Sequence, residues 1–326
     1  GDTKVIVSFG EYNAEQEIEV LPGAIINDVQ VVNGQMMMDL NYLGYGMYEK
    51  KDSQYDAVIL HGEDKGHFII QVSEVAEVKV NDVPQTVTNG ICELSLDTAV
   101  DGASTIIQIS AGESSSEYTF TCYSQARSDL PTSVVEYFCV ASQYTNGAGL
   151  GPYGLNPVRT LRGYDMGRAT GGMELGPLSL GNFGGYVTYY FEDPIVDGTD
   201  NRYGIDFFVW GNSHDGSDQF AEPGNVLVSE DGKTWYTLAG SLHYDDCALW
   251  NYSITYKNHN YMHTTWTDSN GNSGTGDRYP EPSMYPDFPW TPEMETEITL
   301  TGTAFVPQSG ANEYGNTLPQ YPHFGY

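Results

Sequence analysis

Apolar and polar residues alternate along much of this chain with a period of two, the spacing of β-strands that pack one face. Residues 76–125 show this most clearly, with turn residues between the strand-like runs at Asn81-Asp82, Asn89-Gly90, Asp101-Gly102 and Ala111-Gly112. Long stretches lack helical periodicity. The pattern therefore predicts an all-β protein with elaborate loops.

A further hairpin is predicted at residues 224–241, "GNVLVSEDGKTWYTLAGS". Val226 and Val228 mark its first strand, and the segment Glu230-Asp231-Gly232-Lys233 supplies the turn. Trp235 begins the second strand. We expect this tryptophan to pin the hairpin to a packed face, which is a structural role.

The chain of 326 residues is long enough for two or three domains. Residues 1–75 are expected to form a β-rich N-terminal domain, for which the sequence suggests no role. Residues 76–125 are expected to form a small β-sandwich, and residues 126–133 a polar linker that contains Pro131. Residues 134–326 would then be a second, larger domain. It ends in the aromatic segment "YPHFGY", so we expect this domain to be truncated at its C-terminus.

Two family resemblances refine this picture. The strands and turns of residues 76–125 resemble the cadherin-like β-sandwich repeat of bacterial cell-surface proteins. From residue 134 on, "VLVSEDGKTW" resembles the characteristic hairpin of galactose-binding, discoidin-like jelly rolls. With "GGYVTYYF", "GIDFFVWGN" and "PHFGY", the segment resembles a module of large surface proteins from Gram-positive and gut bacteria. The resemblances imply tandem β-sandwiches, the second a jelly roll with a long aromatic loop insertion, in a secreted or surface-displayed protein.

The charge of the chain narrows the choice of partners. Asp and Glu number 44 against 13 Lys and Arg, a net charge of −31. Nucleic acids and anionic membranes bind basic surfaces, so we expect neither as a partner. No apolar run is long enough to span a bilayer, so membrane insertion is not expected.

Four cysteines lie at positions 92, 122, 139 and 247, without the spacing of a zinc site. Cys92 alternates with Leu94 and Leu96, and Cys122 alternates with Phe120, so both are predicted to point into a core. Two alternatives stay open for this pair: a Cys92–Cys122 disulfide or two buried free thiols.

Acidic loops offer candidate calcium ligands. The segment "DSNGNSG" places oxygen atoms at alternate residues, and calcium takes six to eight oxygen ligands. Other acidic loops follow strand-like runs. The alternative is that Asp, Asn and Gly simply form turns here. The candidate ligands are Asp268, Asn270, Asn272, Asp277, Asp197, Asp200 and Glu222.

Aromatic residues are concentrated between His243 and Trp290, interleaved with Asp, Asn and Pro. Sugars present apolar C–H faces ringed by hydroxyls, and an aromatic ring can stack on such a face. The alternative is that these rings anchor the long loops themselves. The candidate stacking residues are Trp250, Trp266, Tyr279, Tyr285 and Trp290.

The favoured function is non-catalytic recognition or adhesion at the bacterial surface. The partner would be a glycan or an extracellular protein, bound by loops at one end of the jelly roll, with calcium stabilising those loops. The sequence has no G-x-S-x-G elbow, phosphate-binding loop or zinc-protease motif, so no enzyme is predicted. There are two alternatives. The first is a purely structural spacer of a surface protein, and the second is a glycan-cleaving enzyme.

Overall fold

A computed structural model describes residues 2–9, 12–19, 23–38, 53–138, 156–163, 178, 180, 183–199, 204–210, 213–214, 220–221, 224–244, 246, 248–260, 263–275, 297–305 and 323–325. These residues are nearly all strand and loop and form several sheets, which confirms the predicted all-β class. No helix among them is long and apolar enough to cross a bilayer. The chain divides into two compact units.

The first unit comprises residues 1–38, 50–133 and 158–164. Its strands are β1 (Asp2–Phe9), β2 (Tyr12–Glu19), β3 (Asp28–Val31), β4 (Gly34–Met36), β5 (Gln54–Ile59), β6 (Lys65–Gln71), β7 (Glu77–Val80), β8 (Val83–Gln85), β9 (Val87–Thr88), β10 (Ile91–Asp97), β11 (Ala103–Ala111) and β12 (Ser114–Ser124). A 3-10 helix, Pro157–Arg162, enters this unit from Val158 onward.

Two sheets of the first unit share one hydrophobic core. One has the strand order β3-β6-β10-β9 and the other β4-β5-β12-β11-β7-β8, in which β5 and β12 run parallel. Strand β10 shows why they face each other, because Cys92, Leu94 and Leu96 are buried while their neighbours are exposed. Phe120 of β12 meets Phe68 of β6 edge to face across the core, with ring centroids 5.4 Å apart.

The predicted turns lie where the sequence places them. Asn81 and Asp82 join β7 to β8, and both have positive φ angles. Asn89 and Gly90, also at positive φ, join β9 to β10. Two-residue hairpin loops need this backbone conformation, which Asn, Asp and Gly adopt most readily.

The core also takes strands from both sides of the boundary predicted at residue 75. Strand β5 pairs with β12, β6 pairs with β10, and Phe68 and Ile70 are buried beside Leu94. Without β5 and β6, the strands of residues 76–125 would lack much of the apolar face against which they pack. The described residues 23–38 and 53–125 therefore form one structure. The separate antiparallel hairpin β1–β2 precedes them in the chain.

The predicted linker is held against this first unit. Gln125 donates to the carbonyl oxygen of Pro131 at 2.9 Å, and the Ala126 N–H donates to the Arg162 carbonyl oxygen at 3.0 Å. The guanidinium of Arg162 pairs with Asp101 at 2.7 Å and lies over the Tyr123 ring at 4.3 Å. Residues 158–163, which we predicted to lie in the second domain, thus belong to the first unit.

Cys92 and Cys122 are buried free thiols. The Cys122 sulfur lies beside Gly66, whereas Cys92 pairs with Ile70, four residues further along β6. Four strand residues span roughly 13 Å, too far for a disulfide. Burial, together with the charge of Asp56, raises the pKa of Cys122 to about 11. Of the two alternatives for this pair, the structure therefore shows the free thiols.

The second unit comprises residues 39–49, 134–157 and 165–326. Its strands are β13 (Ser133–Phe138), β14 (Tyr186–Tyr190), β15 (Phe208–Trp210), β16 (Ser213–His214), β17 (Phe220–Ala221), β18 (Val226–Val228), β19 (Tyr236–Leu238), β20 (Ala248–Asn260), β21 (His263–Asp268), β22 (Ser273–Thr275), β23 (Glu297–Phe305) and β24 (His323–Gly325). A second 3-10 helix spans Ser241–Tyr244.

The largest described sheet of the second unit has the antiparallel order β22-β21-β20-β23. One of its faces covers a small core centred on the buried ring of Tyr256. Strands β18 and β19 form the hairpin predicted from "VLVSEDGKTW". The sheets of this unit position the candidate site.

Replacing Phe120 with Ala should destabilise the first unit by about 3–5 kcal/mol, because Phe120 is 0 % exposed and packs on both sheets. Urea unfolding followed by circular dichroism measures this change. Val100→Ala is the control, because Val100 is 68 % exposed and its truncation should change stability by no more than about 0.5 kcal/mol. Equal stability of the Phe120 variant and the parent would contradict the shared core.

Candidate functional site

The structure describes two of the five predicted stacking residues. Trp250, in β20, is 52 % exposed. Trp266, in β21, is half-buried, packs against Tyr256 and lies over its cross-strand partner Gly274. The other three, Tyr279, Tyr285 and Trp290, lie outside the described residues. Trp250 is therefore the described candidate that presents its ring to a ligand, and Trp266 belongs to the small core.

A β-bulge determines where Trp250 points. Leu249 pairs with Ala304 and Tyr252 pairs with Gly302, so Trp250 and Asn251 together oppose the single residue Thr303. Asn251 takes the left-handed conformation, with φ 55°, that such an irregularity requires. Bulges of this kind re-aim side chains, and here the bulge turns Trp250 away from the small core.

A hydrogen-bonded pair of polar side chains, the buried His243 and the exposed Asn225, supports the bulge. The Gly240 N–H donates to Nδ1 of His243 at 3.1 Å, so Nδ1 is the acceptor. The other ring nitrogen, Nε2, must then carry the proton and donate to Oδ1 of Asn225 at 3.1 Å. Asn225 in turn donates from Nδ2 to the Thr303 carbonyl oxygen at 2.7 Å. Every polar atom of the His243 ring, which is 5 % exposed, is thereby satisfied.

Aromatic contacts of His243 also support the Trp250 ring. The His243 ring lies 5.1 Å from the Trp250 ring, centroid to centroid, and meets Phe305 edge to face at 5.0 Å. Tyr244, the residue after His243, is exposed. One side of the Trp250 ring is thus supported by a rigid, hydrogen-bonded residue while the ring stays open to solvent. Such preorganisation limits the ordering cost of binding.

The candidate calcium loop is a hairpin turn that Asp268 organises. Its Oδ1 accepts the backbone N–H groups of Asn270 at 3.0 Å and Asn272 at 2.7 Å. Its Oδ2 accepts the Asn272 side-chain amide at 2.9 Å and the Tyr252 hydroxyl at 2.8 Å. Both carboxylate oxygens therefore already bind N–H and O–H donors, and Asn272 directs its amide nitrogen toward them. This is the turn-forming alternative that the sequence left open.

The electrostatics of this turn agree with its geometry. Partial desolvation raises the pKa of Asp268, but the hydrogen bonds from Asn272 and Tyr252 outweigh it, so the pKa is lowered overall. Desolvation, followed by the hydrogen bond to Asp268 and the charge of Asp268, raises the pKa of Tyr252 to about 12. The pair is therefore a neutral phenol that donates to an ionised carboxylate across physiological pH.

The remaining metal candidates are dispersed or undescribed. Asp197 is exposed. Asp277, Asp200 and Glu222 lie outside the described residues. Within the described part of the chain, no three His, Cys, Asp or Glu side chains are grouped as metal ligands.

A second aspartate organises the hairpin between β18 and β19. Oδ1 of Asp231 accepts the backbone N–H groups of Thr234 at 2.7 Å and Lys233 at 2.8 Å, and the Ser229 hydroxyl at 3.1 Å. These bonds, with the Thr234 N–H as the largest cause, lower the pKa of Asp231 to about 2. The "SEDGKT" motif is thus a self-capped turn. Trp235, which follows it, is 43 % exposed, so it is less packed than the sequence suggests.

Sequence reasoning missed the residues that hold Trp250 in place. Asn225 and His243 are eighteen positions apart, and nothing in the intervening pattern marks them as partners. The left-handed Asn251 leaves no sequence signal beyond the ability of Asn to adopt that conformation.

No model of a known protein family matches the chain, and no curated protein is similar to it. The cadherin-like and discoidin-like resemblances therefore remain expectations.

Replacing Asn225 with Ala should destabilise the second unit by about 1–3 kcal/mol, because it leaves the His243 Nε2–H and the Thr303 carbonyl oxygen without their partner. All five tryptophans lie in this unit, so tryptophan fluorescence during urea unfolding isolates the effect. The exposed turn residue Asn270, changed to Ala, is the matched control. Equal midpoints for both variants would show that the hydrogen-bonded pair of Asn225 and His243 contributes no stability.

The carboxyl carbon of Asp231 should titrate with a pKa of about 2 in the folded protein, and near 3.8 in urea. The folded value is the lower one, so the stabilisation from this turn is complete above about pH 4 and is lost as the pH falls toward 2. Carbon-detected NMR of the two states measures both values. A folded value close to the one in urea would refute the self-capped turn.

Proposed function

We propose that this chain is a non-catalytic recognition module of a secreted or surface-displayed bacterial protein, and that it binds a glycan through the Trp250 surface. The observation that carries the proposal is an exposed tryptophan held on a buried, fully hydrogen-bonded support. Stability alone does not require such an arrangement, because the contacts of His243 hold the bulge while the far side of the indole meets solvent.

The chemistry of sugars fits this surface. A pyranose ring exposes C–H groups on one face, and a flat, rigid indole offers a large area of contact for little loss of conformational entropy. Asn251, exposed beside Trp250, adds an amide that can bond to hydroxyls. An extracellular protein is the alternative partner, since tryptophan also anchors protein interfaces.

The finer architecture belongs to the same proposal. The first unit, with two sheets on one core, would be a cadherin-like spacer, and the second unit a discoidin-like jelly roll with an aromatic insertion. The strong acidity of the chain suits an extracellular setting. Calcium would stabilise the loops through Asp277, Asp200 and Glu222, because the oxygens of Asp268 are already engaged.

A purely structural spacer is the second candidate. The core that two sheets share in the first unit favours it, because a packed core without a Cys92–Cys122 disulfide is sufficient for that role. The two functions differ at Trp250, which a spacer has no need to expose.

Trp250→Ala should lower binding to an immobilised glycan array by at least about ten-fold, because a buried tryptophan contact typically carries much of the binding free energy. Trp235→Ala is the matched control, since Trp235 is exposed to a similar degree in the same unit but outside this surface. Parallel arrays with calcium and with a chelator test the metal.

A signal that depends on Trp250 supports glycan recognition, and its loss with chelator supports calcium as well. Equal loss in both tryptophan variants would contradict the assignment to Trp250. A blank array under both conditions would favour the spacer or a protein-binding adhesin.

A further inference from the structure

The sheet that carries Trp250 has two faces of opposite character. One face packs Ile254 and Tyr256 of β20 against Ile298 and Leu300 of β23. On the other face, side chains end almost entirely in hydroxyl groups. They are Ser253 and Thr255 of β20, Thr267 of β21, and Thr299 and Thr301 of β23. We call these five residues the hydroxyl face.

Strand register arranges the hydroxyl face in rows. Thr255 pairs with Thr267 on one side and with Thr299 on the other, and Ser253 pairs with Thr301. The Thr255 and Thr299 hydroxyl oxygens are 2.8 Å apart and bond to each other. Neighbouring strands lie about 4.8 Å apart, and successive residues on one face about 7 Å apart. The hydroxyls therefore form a regular array along the strands.

The hydroxyl face is neutral, although the chain carries a net charge of −31. The carboxylate at its end, Glu297, is paired with Lys257 at 3.0 Å. Thr265, the other cross-strand neighbour of Lys257, is uncharged. A surface of this kind suits a ligand that offers many hydroxyls and no net charge.

The Trp250 surface lies at the opposite end of this face. Thr303 opposes the bulge and lies on the same face of β23 as Thr299 and Thr301. Phe305, next in that series, meets the His243 ring that supports Trp250. From Glu297 to Thr303, six residues of β23 span roughly 20 Å. The aromatic surface and the hydroxyl rows thus follow one another along one strip on the same side of the sheet, and Thr303 between them is buried, at 8 % exposed.

We propose that the ligand is a neutral, linear polysaccharide, whose chain stacks one sugar on Trp250 and runs along β20 and β23 over the hydroxyl face. This inference rests on the proposed function and names its ligand class. Threonine hydroxyls both donate and accept, so they can bond to sugar hydroxyls whatever their orientation. A strip of this length takes several sugars. Long chains should therefore bind more tightly than short ones.

The test removes the hydroxyls and keeps the shape. The double variant Thr255→Val, Thr299→Val replaces both partners of the 2.8 Å bond with β-branched residues, a change that leaves folding nearly unaffected. Thr88→Val is the matched control, because Thr88 is an exposed strand residue of the first unit. The probes are cello-, manno- and xylo-oligosaccharides of increasing length, and polygalacturonate as an anionic chain, measured by titration calorimetry.

We expect the double variant to bind long neutral chains roughly ten-fold more weakly than the parent protein does, as the loss of two or three hydrogen bonds implies. Its binding of disaccharides should stay unchanged, and the Thr88 variant should match the parent protein. Trp250→Ala should weaken the binding of short and long chains alike.

The outcomes separate this inference from the function on which it rests. Binding that needs Trp250 but depends neither on chain length nor on Thr255 and Thr299 would overturn the inference and leave glycan recognition standing. Polygalacturonate bound as tightly as the neutral chains would also overturn it. If no oligosaccharide binds the parent protein, the proposed function and the inference both fail.

Discussion

The bulge at Trp250 and Asn251 interrupts the alternation of β20, and the whole candidate surface depends on that interruption. Beyond the bulge, Ile254 and Tyr256 pack in the small core, and Tyr252 lies on the same face of the sheet. In an unbroken strand Trp250 would share their face. One inserted residue, opposite Thr303, turns the indole to the other side of the sheet. The left-handed backbone of Asn251 and the hydrogen bonds of Asn225 stabilise the irregularity.

The two units achieve their stability by different means. In the first, alternating strands bury a continuous apolar core between two sheets, and long-range pairings such as β5 with β12 close it. In the described part of the second, apolar burial is modest, and polar groups define local geometry. Asp231 and Asp268 each organise a turn by accepting several N–H and O–H donors. This division suits a rigid first unit and a second unit with many loops.

Local sequence signals predicted local structure well. The Asn89-Gly90 turn and the hairpin around Asp231 follow from residue types whose backbone preferences are strong. The domain boundary at residue 75 could not be found in this way, because β5 and β6 join the later strands through pairings distant in sequence. The candidate site shows the same limit. The sequence predicted both Trp250 and Trp266 as candidate stacking residues, but the exposure that separates them depends on the bulge and on Gly274.

The hydroxyl face is neutral although the chain as a whole is strongly acidic, and this contrast favours a neutral ligand. A chain with a net charge of −31 repels anionic polymers at long range, whereas a neutral polysaccharide feels no such repulsion. At contact, ion pairing would contribute little, since Lys257 is already bound to Glu297. Affinity would then come from stacking on Trp250 and from many weak hydrogen bonds. The affinity of such binding rises with the number of sugars that contact the protein. The length of the strip, more than any single residue, would therefore set the preference for long chains.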